Sequence, residues 1–209
     1  MGRYTGPSCR LCRREGMKLY LKGDRCYMSK CAVEVGRPSP GMHSRHPKKM
    51  SEYGVQLHEK QRLRRHYGMQ EGQFRLFFQR ATQVKGVMPG EALLQSLEMR
   101  LDNLVFRLGF ALSRRAARQL VLHKHVSVNG RRADVPSMVL KQGSVIQVKG
   151  NQRSQNAARR ALETTAKRTV SPWLVLDQEN LKGEVLRVPS REEIAPFVNE
   201  QLVVELYSR

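Results

Sequence analysis

The segment Ser113–Arg132, with the sequence SRRAARQLVLHKHVSVNGRR, constrains the fold more than any other part of the chain. Ser113 is a good helix N-cap, because its hydroxyl can accept a hydrogen bond from an unpaired backbone N–H in the first turn. Apolar side chains then recur at helical spacing, at Ala117, Leu120 and Val121. Val126–Val128 alternates apolar and polar side chains, which is typical of a half-buried strand. Asn129-Gly130 tolerates positive φ and predicts a hairpin turn directly after the strand.

The same segment is rich in arginine and has no acidic residue. Five arginines belong to the predicted helix and turn: Arg114, Arg115, Arg118, Arg131 and Arg132. No aspartate or glutamate lies between Asp102 and Asp134, although a solvated charged surface usually mixes both signs. The arrangement favours a polyanionic partner, and nucleic acid is the obvious candidate. We expect that replacing the three helix arginines together weakens nucleic-acid binding with little change in folding.

Positive charge is in excess over most of the chain. The 209 residues include 38 lysines and arginines against 18 aspartates and glutamates, a formal net charge of +20. Because this excess costs self-repulsion, a polyanionic partner is expected to offset it. Only residues 171–209 carry more acidic than basic side chains. No apolar run of membrane-spanning length and no signal-peptide pattern is present, which predicts a soluble, cytosolic protein of one or two domains.

Four cysteines are confined to the first 31 residues and follow the pattern C-x2-C-x13-C-x4-C. They are Cys9, Cys12, Cys26 and Cys31. Two such pairs predict a tetrahedral metal site, and a cytosolic chain would keep the thiols reduced rather than paired as disulfides. Zinc is the default ion, and an iron–sulfur cluster is the less favoured occupant. With four thiolate ligands and no open coordination position, the metal would have a structural role.

Two further basic stretches follow the cysteines. Residues 36–50 are rich in proline and glycine and predict an irregular loop, either a solvated linker or a phosphate-binding loop. The loop includes Arg45, Lys48 and Lys49. A helix capped by Ser51 is predicted to run to about Tyr67 and to be ended by Gly68. This helix carries Lys60, Arg62, Arg64 and Arg65.

The remaining elements are predicted from apolar periodicity and capping signals. The spacing of Phe74, Phe77, Phe78 and Ala81 predicts an amphipathic helix packed in a core. Leucines from Leu94 to Leu108 predict one continuous helix from about Glu91 to Gly109 that packs against the arginine-rich helix. Further predictions are strands at 144–148 and 173–176, a helix at 152–168, a capped short helix at 190–193 and a last strand around 202–206.

The most specific segments of the chain are long and collinear. They are RYTGP at 3–7, RREG at 13–16, SEYGVQLHEKQRLRRHYG at 51–68, RLDNLVFRLGF at 100–110, ARQLVLHKHVSVNGR at 117–131 and EQLVVELYSR at 200–209. Together they resemble the bacterial family of small ribosomal subunit protein S-four over almost the full length. The central part resembles the compact alpha-L RNA-binding module of that family, and the four cysteines occupy the positions of its four-cysteine type.

The patterns and the resemblance together imply an α+β, mostly helical fold. Its expected parts are a four-cysteine metal-binding basic arm and loop at 1–50, a helical domain at 51–98, an alpha-L RNA-binding module at 99–162 and a C-terminal segment at 163–209 that packs back on the helical domain. The expected RNA-binding residues are Arg3, Arg13, Arg14, Arg45, Lys48, Lys49, Lys60, Arg62, Arg64, Arg65, Arg114, Arg115, Arg118, Lys124, Arg131 and Arg132.

The resemblance also implies a cytoplasmic ribosomal protein without enzymatic activity. Such a protein binds small-subunit 16S rRNA, nucleates assembly of the subunit body, lines the mRNA entry channel and supports decoding accuracy through contact with ribosomal protein five. No membrane and no small-molecule substrate is expected. An RNA-modifying enzyme with the same module is an alternative, but the few acids between residues 99 and 170 lie in no recognised catalytic motif. A zinc-containing DNA-binding regulator is a second alternative. Against it, this sequence has no clear dimerisation segment.

Overall fold

A computed structural model describes residues 4–41, 49–165, 169–194 and 198–208 of the chain. The chain forms two compact units. The first unit comprises Met1–Leu94 and Ala195–Arg209, and the second unit comprises Gln95–Ile194. Most of the regular structure is helical and the rest is one small antiparallel sheet, which confirms the predicted α+β, mostly helical class.

The helices and strands are named in chain order. The helices are α1 Ser8–Glu15, α2 Glu52–His66, α3 Glu71–Thr82, α4 Pro89–Glu98, α5 Leu101–Arg107, α6 Arg114–Leu122, α7 Gln152–Thr165 and α8 Glu200–Tyr207. The strands are β1 Val126–Val128, β2 Arg131–Ala133, β3 Val145–Val148, β4 Leu174–Asp177 and β5 Lys182–Val185. Short 3-10 turns occur at Gly23–Cys26 and Arg191–Glu193.

The predicted boundaries of α2 are confirmed in the first unit. The Ser51 hydroxyl oxygen accepts a hydrogen bond from the backbone N–H of Gly54 at 3.2 Å. Gly68 takes a φ of +66° directly after the helix. This left-handed conformation is open to glycine without a Cβ clash, so the chain turns away and α3 begins a few residues later.

The aromatic residues of α3 form the core of the first unit, as their spacing predicts. Phe74, Phe77, Phe78 and Ala81 are all buried. The Phe78 ring stacks on the Tyr207 ring of α8, with the ring centroids 4.6 Å apart. The predicted packing of these side chains in a core is therefore confirmed.

The predicted strand around residues 202–206 is wrong, because this segment forms helix α8. The apolar run that indicated a strand is Leu202, Val203, Val204 and Leu206. Asn199 caps the helix by accepting a hydrogen bond from the Gln201 N–H at 3.0 Å. The helix packs along α2, where Gln56 Nε2 donates to Glu205 Oε2 at 3.1 Å. Strand propensity is a weak preference that tertiary packing overrides.

The sheet lies in the second unit and has the order β2-β1-β3-β5-β4, with every neighbouring pair antiparallel. Asn129 and Gly130 join β1 to β2 with φ values of 48° and 77°, as expected for a tight hairpin. Ser113 caps α6 by accepting a hydrogen bond from the Ala116 N–H at 3.2 Å. The predicted helix, strand and turn are therefore confirmed in the order in which they were expected along the chain.

The single helix predicted from Glu91 to Gly109 is wrong, because the chain breaks it into α4 and α5. Arg100 takes an extended conformation between them, with φ −69° and ψ 139°. It forms an isolated bridge with Val139, and the Leu101 N–H donates to the Met138 carbonyl at 2.8 Å. The leucine spacing runs through the break because both helices contribute to buried packing on either side of it.

The boundaries of the two units differ from the four segments expected from the sequence. β4 and β5 extend the sheet beyond β3, so the second unit continues to Ile194 instead of ending near residue 162. In the C-terminal segment that was expected at 163–209, only the part that includes α8 belongs to the first unit.

The core of the second unit includes a close approach of Gly183 in β5 to Leu108, which directly follows α5. Trp173 and Leu108 are almost fully buried and belong to one apolar cluster with Ile146. Gly183 lies in β5 directly opposite Ile146 of β3. A Cβ atom at Gly183 would lie 2.5 Å from Leu108 Cδ2. Since Leu108 is buried on all sides, its side chain has little room to move away.

Replacing Gly183 with alanine is expected to lower the free energy of unfolding of the second unit by about 1–3 kcal/mol, because the added methyl group overpacks the core against Leu108. Urea unfolding followed by the fluorescence of the buried Trp173, the only tryptophan of the chain, measures this unit. Gly150→Ala is the control, since a Cβ atom added there would meet nothing within 4 Å. Equal stability of the two variants would contradict the tight contact.

Candidate nucleic-acid interface

Helix α6 holds two of its arginines against its own unit. The Arg114 Nε donates to Asn103 Oδ1 at 2.8 Å, and its guanidinium lies 4.6 Å from the centre of the Phe106 ring. Arg118 Nη1 lies 3.7 Å from Asp102 Oδ2, and only 13% of the Arg118 side chain is exposed. Arg115 is also half-buried. The expectation that replacing these arginines leaves folding almost unchanged is at odds with these contacts.

Asp102 is the carboxylate that fixes this part of the interface. Arg100 donates to Asp102 twice, from Nε at 3.0 Å and from Nη2 at 2.7 Å. Both side chains are buried. Because Arg118 approaches the same carboxylate, Asp102 connects Arg100, which lies between α4 and α5, to helix α6.

A second buried carboxylate, Glu98, supports the Arg114 contact from behind. Arg107 forms a two-point ion pair with Glu98, from Nε at 3.0 Å and from Nη2 at 2.7 Å. The Asn103 side-chain amide donates to Glu98 Oε2 at 2.6 Å and leaves its oxygen for Arg114. The chain Arg107–Glu98–Asn103–Arg114 thus fixes the orientation of the first arginine of α6.

The hairpin between β1 and β2 presents the charges that remain free of such contacts. Arg131 and Arg132 are exposed and have no side-chain partner among the residues that the structure describes. Lys124 is exposed as well, with its Nζ 3.6 Å from Asp134 Oδ2. The two acids that flank the arginine-rich segment, Asp102 and Asp134, are thus both placed against cations of the same unit. The hairpin arginines keep their full charge toward solvent.

The outer face of the sheet extends this polar surface, which sequence patterns alone did not indicate. Residues directly opposite each other in an antiparallel sheet share a face. The register pairs Arg132 with Ser127, Ser127 with Gln147, and Gln147 with Lys182. Lys182 lies opposite Asp177 of β4, so the row crosses all five strands, with Arg132 at one end and the Lys182–Asp177 pair at the other. Pairing of β3 with β5 brings Lys182 into the row, and no local signal encodes that long-range pairing.

Helix α7 adds three more exposed cations to the second unit. They are Arg153, Arg159 and Arg160. A helix was predicted here, although these arginines were not among the residues expected to bind RNA.

The four basic residues predicted to bind RNA from α2 are engaged within the first unit. Lys60 donates to Glu71 Oε1 at 2.7 Å and is almost fully buried. Arg64 lies 3.5 Å from Glu71 Oε2 and donates to Gln61, and burial lowers the pKa of Arg64. Burial alone would raise the pKa of Glu71, but the hydrogen bonds from Lys60 and Tyr207 outweigh it and lower that pKa.

Glu15 holds the other two arginines of α2. Its side chain is fully buried and accepts a hydrogen bond from Arg65, while His58 Nδ1 lies 3.5 Å and Arg62 Nε 4.0 Å from Oε2. Arg62 also pairs with Glu59. Glu15 was not singled out in the sequence, because a lone glutamate in a basic arm gives no sign of burial. The α2 cations therefore have intramolecular partners before any RNA is present.

The N-terminal arm divides its arginines between structure and surface. Arg13 Nη1 donates to the Pro38 carbonyl at 2.8 Å, and the Ser39 hydroxyl donates to the Arg13 carbonyl at 3.0 Å. Arg14 and Lys49 are exposed. Three of the residues expected to bind RNA, Arg3, Arg45 and Lys48, lie outside the described residues.

The four cysteines lie in one small region of the first unit. Cys9 and Cys12 are on successive turns of α1, Cys26 ends a 3-10 turn, and all four thiols are free of disulfides. Cys12, Cys26 and Cys31 are buried. Burial raises the pKa of Cys12 and of Cys26, and the neighbouring cysteines raise both values further. The Lys22 N–H donates to Cys26 Sγ at 3.3 Å.

The chemistry of the four cysteines favours metal binding, but their geometry in this structure does not form a metal site. Four free thiols within electrostatic reach of one another are a suitable ligand set for Zn²⁺. Within the described ranges, however, no three or more histidine, cysteine, aspartate or glutamate side chains are arranged so that they could hold an ion.

No helix in the described part of the chain is both long enough and apolar enough to cross a membrane.

Two family models match consecutive parts of the chain. The Ribosomal protein S4/S9 N-terminal domain matches residues 3–98, and the S4 domain matches residues 99–146. The second match covers α5, α6 and the hairpin, which are the elements that carry the arginines described above.

Curated relatives match over the full length of both chains. Small ribosomal subunit protein uS4 of Thermus thermophilus is 55% identical over 210 residues. The corresponding protein of Acetivibrio thermocellus is 53% identical, and uS4A of Symbiobacterium thermophilum is 52% identical, both over 209 residues. With both family models matched in order and full-length identity above half, the chain belongs to the uS4 family of small ribosomal subunit proteins.

Proposed function

We propose that the protein binds folded 16S rRNA through the arginine surface of the hairpin and α6, and that RNA phosphates neutralise the charge left over after internal pairing. The observation that carries the proposal is the pair Arg131 and Arg132, exposed at the hairpin of the S4 domain. As a member of the uS4 family, the protein is a structural, rRNA-binding component of the small ribosomal subunit in the cytoplasm and not an enzyme.

The mechanism follows from charge and shape. Arginine and lysine side chains displace counterions from RNA phosphates, which favours binding at low salt. Base edges are poorly accessible in the deep major groove of A-form RNA, so a rigid surface recognises backbone and shape instead. The buried Asp102 and Glu98 contacts supply that rigidity by holding Arg118 and Arg114 in fixed positions before binding. Side chains that are already ordered lose less conformational entropy when RNA binds.

The double replacement Arg131→Gln and Arg132→Gln is expected to weaken rRNA binding by about tenfold or more and to reduce the dependence of log K on log salt by roughly one to two units. Both side chains lack intramolecular partners in the described residues, so the stability of the protein should not change. Filter binding to 16S rRNA over a series of salt concentrations measures affinity and slope together. Binding that is independent of salt would contradict phosphate neutralisation.

The matched comparison is the double replacement Arg114→Gln and Arg118→Gln, which removes the same charge from the same unit. It is expected to lower the free energy of unfolding by about 1–3 kcal/mol as well as the RNA affinity, because buried partners of both arginines lose a hydrogen bond or ion pair. Duplex DNA serves as a competitor in the same assay. Preference for duplex DNA would favour a DNA-binding regulator over the rRNA-binding function.

We also propose the finer ribosomal roles that the resemblance implies: nucleation of the subunit body, a place at the mRNA entry channel and contact with ribosomal protein five that supports decoding accuracy. The exposed Lys49, at the end of the basic loop, supports the place beside mRNA. Omitting the protein from reconstitution of the small subunit should prevent the body from forming, and the Arg131→Gln, Arg132→Gln variant should restore it poorly. Crosslinking from position 49 in assembled subunits should capture mRNA, and subunits that assemble normally without the protein would contradict the nucleating role.

A structural Zn²⁺ held by Cys9, Cys12, Cys26 and Cys31 is a further proposal, with an iron–sulfur cluster as the less favoured occupant. The support is the concentration of four disulfide-free thiols in one small region, together with the backbone N–H that donates to Cys26 Sγ. When bound, the metal would offset half of the charge of the four thiolates and connect α1 to the segment around Cys26 and Cys31. No chemistry on RNA is assigned to it.

Protein purified under reducing conditions is expected to contain one zinc ion per chain by elemental analysis, and Cys26→Ser should lose it. Because burial raises the pKa of Cys12 and Cys26, these thiols must release protons to bind the ion, so zinc affinity should fall as the pH is lowered. Iron with acid-labile sulfide would identify a cluster instead. Reduced protein without any bound metal would contradict the proposal.

A further inference from the structure

A small cleft in the first unit is lined by three arginines and a tyrosine. Its volume is about 300 Å³, near the lower end of the range that small ligands occupy. The lining residues are Tyr4, Arg10, Leu11, Arg14, Pro40 and Arg65. Among the described residues no carboxylate belongs to the lining, so the cleft, called the arginine cleft below, is strongly positive.

Two of the three arginines carry uncompensated charge. Arg10 and Arg14 are one helical turn apart on α1, and both are exposed. Their side chains make no hydrogen bond or ion pair within the described part of the chain. Two guanidinium groups this close repel each other in the free protein, so an anion between them is stabilised by both. Planar guanidinium groups also match the geometry of phosphate oxygens.

The walls of the cleft are fixed by contacts that do not use these two arginines. Arg65 forms an ion pair with the buried Glu15. The charge of Arg65 is therefore largely compensated, and this side of the cleft contributes little positive charge. Pro40 follows a segment tied to α1 through the Arg13–Pro38 and Ser39–Arg13 hydrogen bonds. The cleft is therefore formed before a ligand arrives, which lowers the entropy cost of binding.

Tyr4 gives the cleft an aromatic side, and Gly6 sets its position. A Cβ atom at Gly6 would lie 2.6 Å from the Tyr4 hydroxyl oxygen and 2.7 Å from Cζ. The ring thus packs directly on the Cα of Gly6, where any larger residue would displace it. The Tyr4 residue remains 39% exposed, so a nucleobase can stack on the ring beside the two arginines.

We propose that the arginine cleft binds one backbone phosphate of folded RNA between Arg10 and Arg14, with the adjoining nucleoside stacked on Tyr4. The inference rests on the proposed rRNA-binding function and adds a defined nucleotide site outside the S4 domain. Positive charge combined with an aromatic ring favours a nucleotide over a simple anion, because the ring adds a stacking attraction that a phosphate alone cannot make.

The test compares two double variants of the full chain in binding to 16S rRNA. Arg10→Gln with Arg14→Gln is expected to weaken binding by about 10- to 100-fold, as for the loss of charge-assisted hydrogen bonds. Arg75→Gln with Arg80→Gln is the control, since both lie exposed on α3 of the same unit with no side-chain hydrogen bond or ion pair in the described ranges. Arg10→Lys with Arg14→Lys should retain more affinity than the glutamine variant, because lysine keeps the charge without the planar geometry.

The aromatic contact has its own variants. Tyr4→Leu should weaken binding about fivefold or more, Tyr4→Phe should bind like the wild type, and Gly6→Ala should behave like Tyr4→Leu because it moves the ring. RNA with single neutral methylphosphonates should locate one phosphate whose replacement weakens the wild type but not the Arg10→Gln, Arg14→Gln variant. Circular dichroism and thermal unfolding establish that all variants are folded.

The outcomes separate this site from the function on which it rests. If wild-type protein binds rRNA with a steep salt dependence and the two double variants lose affinity equally, the arginine cleft has no specific phosphate and the proposal is overturned, while rRNA binding stands. Unchanged affinity in the Arg10→Gln, Arg14→Gln variant would also overturn it and would favour an acidic protein as the ligand of the cleft. Wild-type protein that ignores rRNA would overturn both.

Discussion

The second unit depends on the ion pair between Arg100 and Asp102. Arg100 occupies the break between α4 and α5, and its two hydrogen bonds to Asp102 satisfy a buried carboxylate. Arg118 of α6 approaches the same carboxylate, so one acidic side chain fixes the approach of α6 to the break. Buried charges are strongly unfavourable without partners, so a packing of α6 that moved Arg118 away from Asp102 would deprive a largely buried arginine of this carboxylate.

Pairing of the few acidic side chains with particular arginines also decides which basic side chains face solvent. Glu98 holds Arg107 and, through Asn103, Arg114, while Glu15 holds Arg65 near the arginine cleft. With 18 acidic residues against 38 basic ones, internal pairing leaves a large remainder. That remainder includes the hairpin arginines, the exposed arginines of α7 and the two exposed arginines of α1. A structural RNA-binding protein of the small ribosomal subunit needs both kinds of arginine. Internally paired arginines fix the shape of the binding surface, and exposed arginines bind RNA phosphates.

Predictions from local chemistry held where the signal was local. Ser51 and Ser113 cap helices, Asn129-Gly130 forms the hairpin, and the phenylalanines of α3 are buried. Predictions failed where distant partners decide the outcome. The valines of α8 form a helix because they pack along α2, and the leucine series breaks at Arg100 because the chain there bonds to the segment around Val139. Neither partner is visible within a few residues of the element it controls.

The sequence by itself determined the excess of positive charge, the order of helix, strand and turn in the S4 domain, and the membership of a family of ribosomal proteins. Caps, turns and charge balance are properties of neighbouring residues or of composition, so they can be read without coordinates. Only the tertiary structure decided which arginines are available. Lys60, Arg62, Arg64 and Arg65 resemble Arg131 and Arg132 in sequence, yet the first four have carboxylate partners, whereas the last two have none among the residues that the structure describes. Ion pairing acts over a few ångströms in space, and the partners of a charge are set by the fold rather than by the order of residues along the chain.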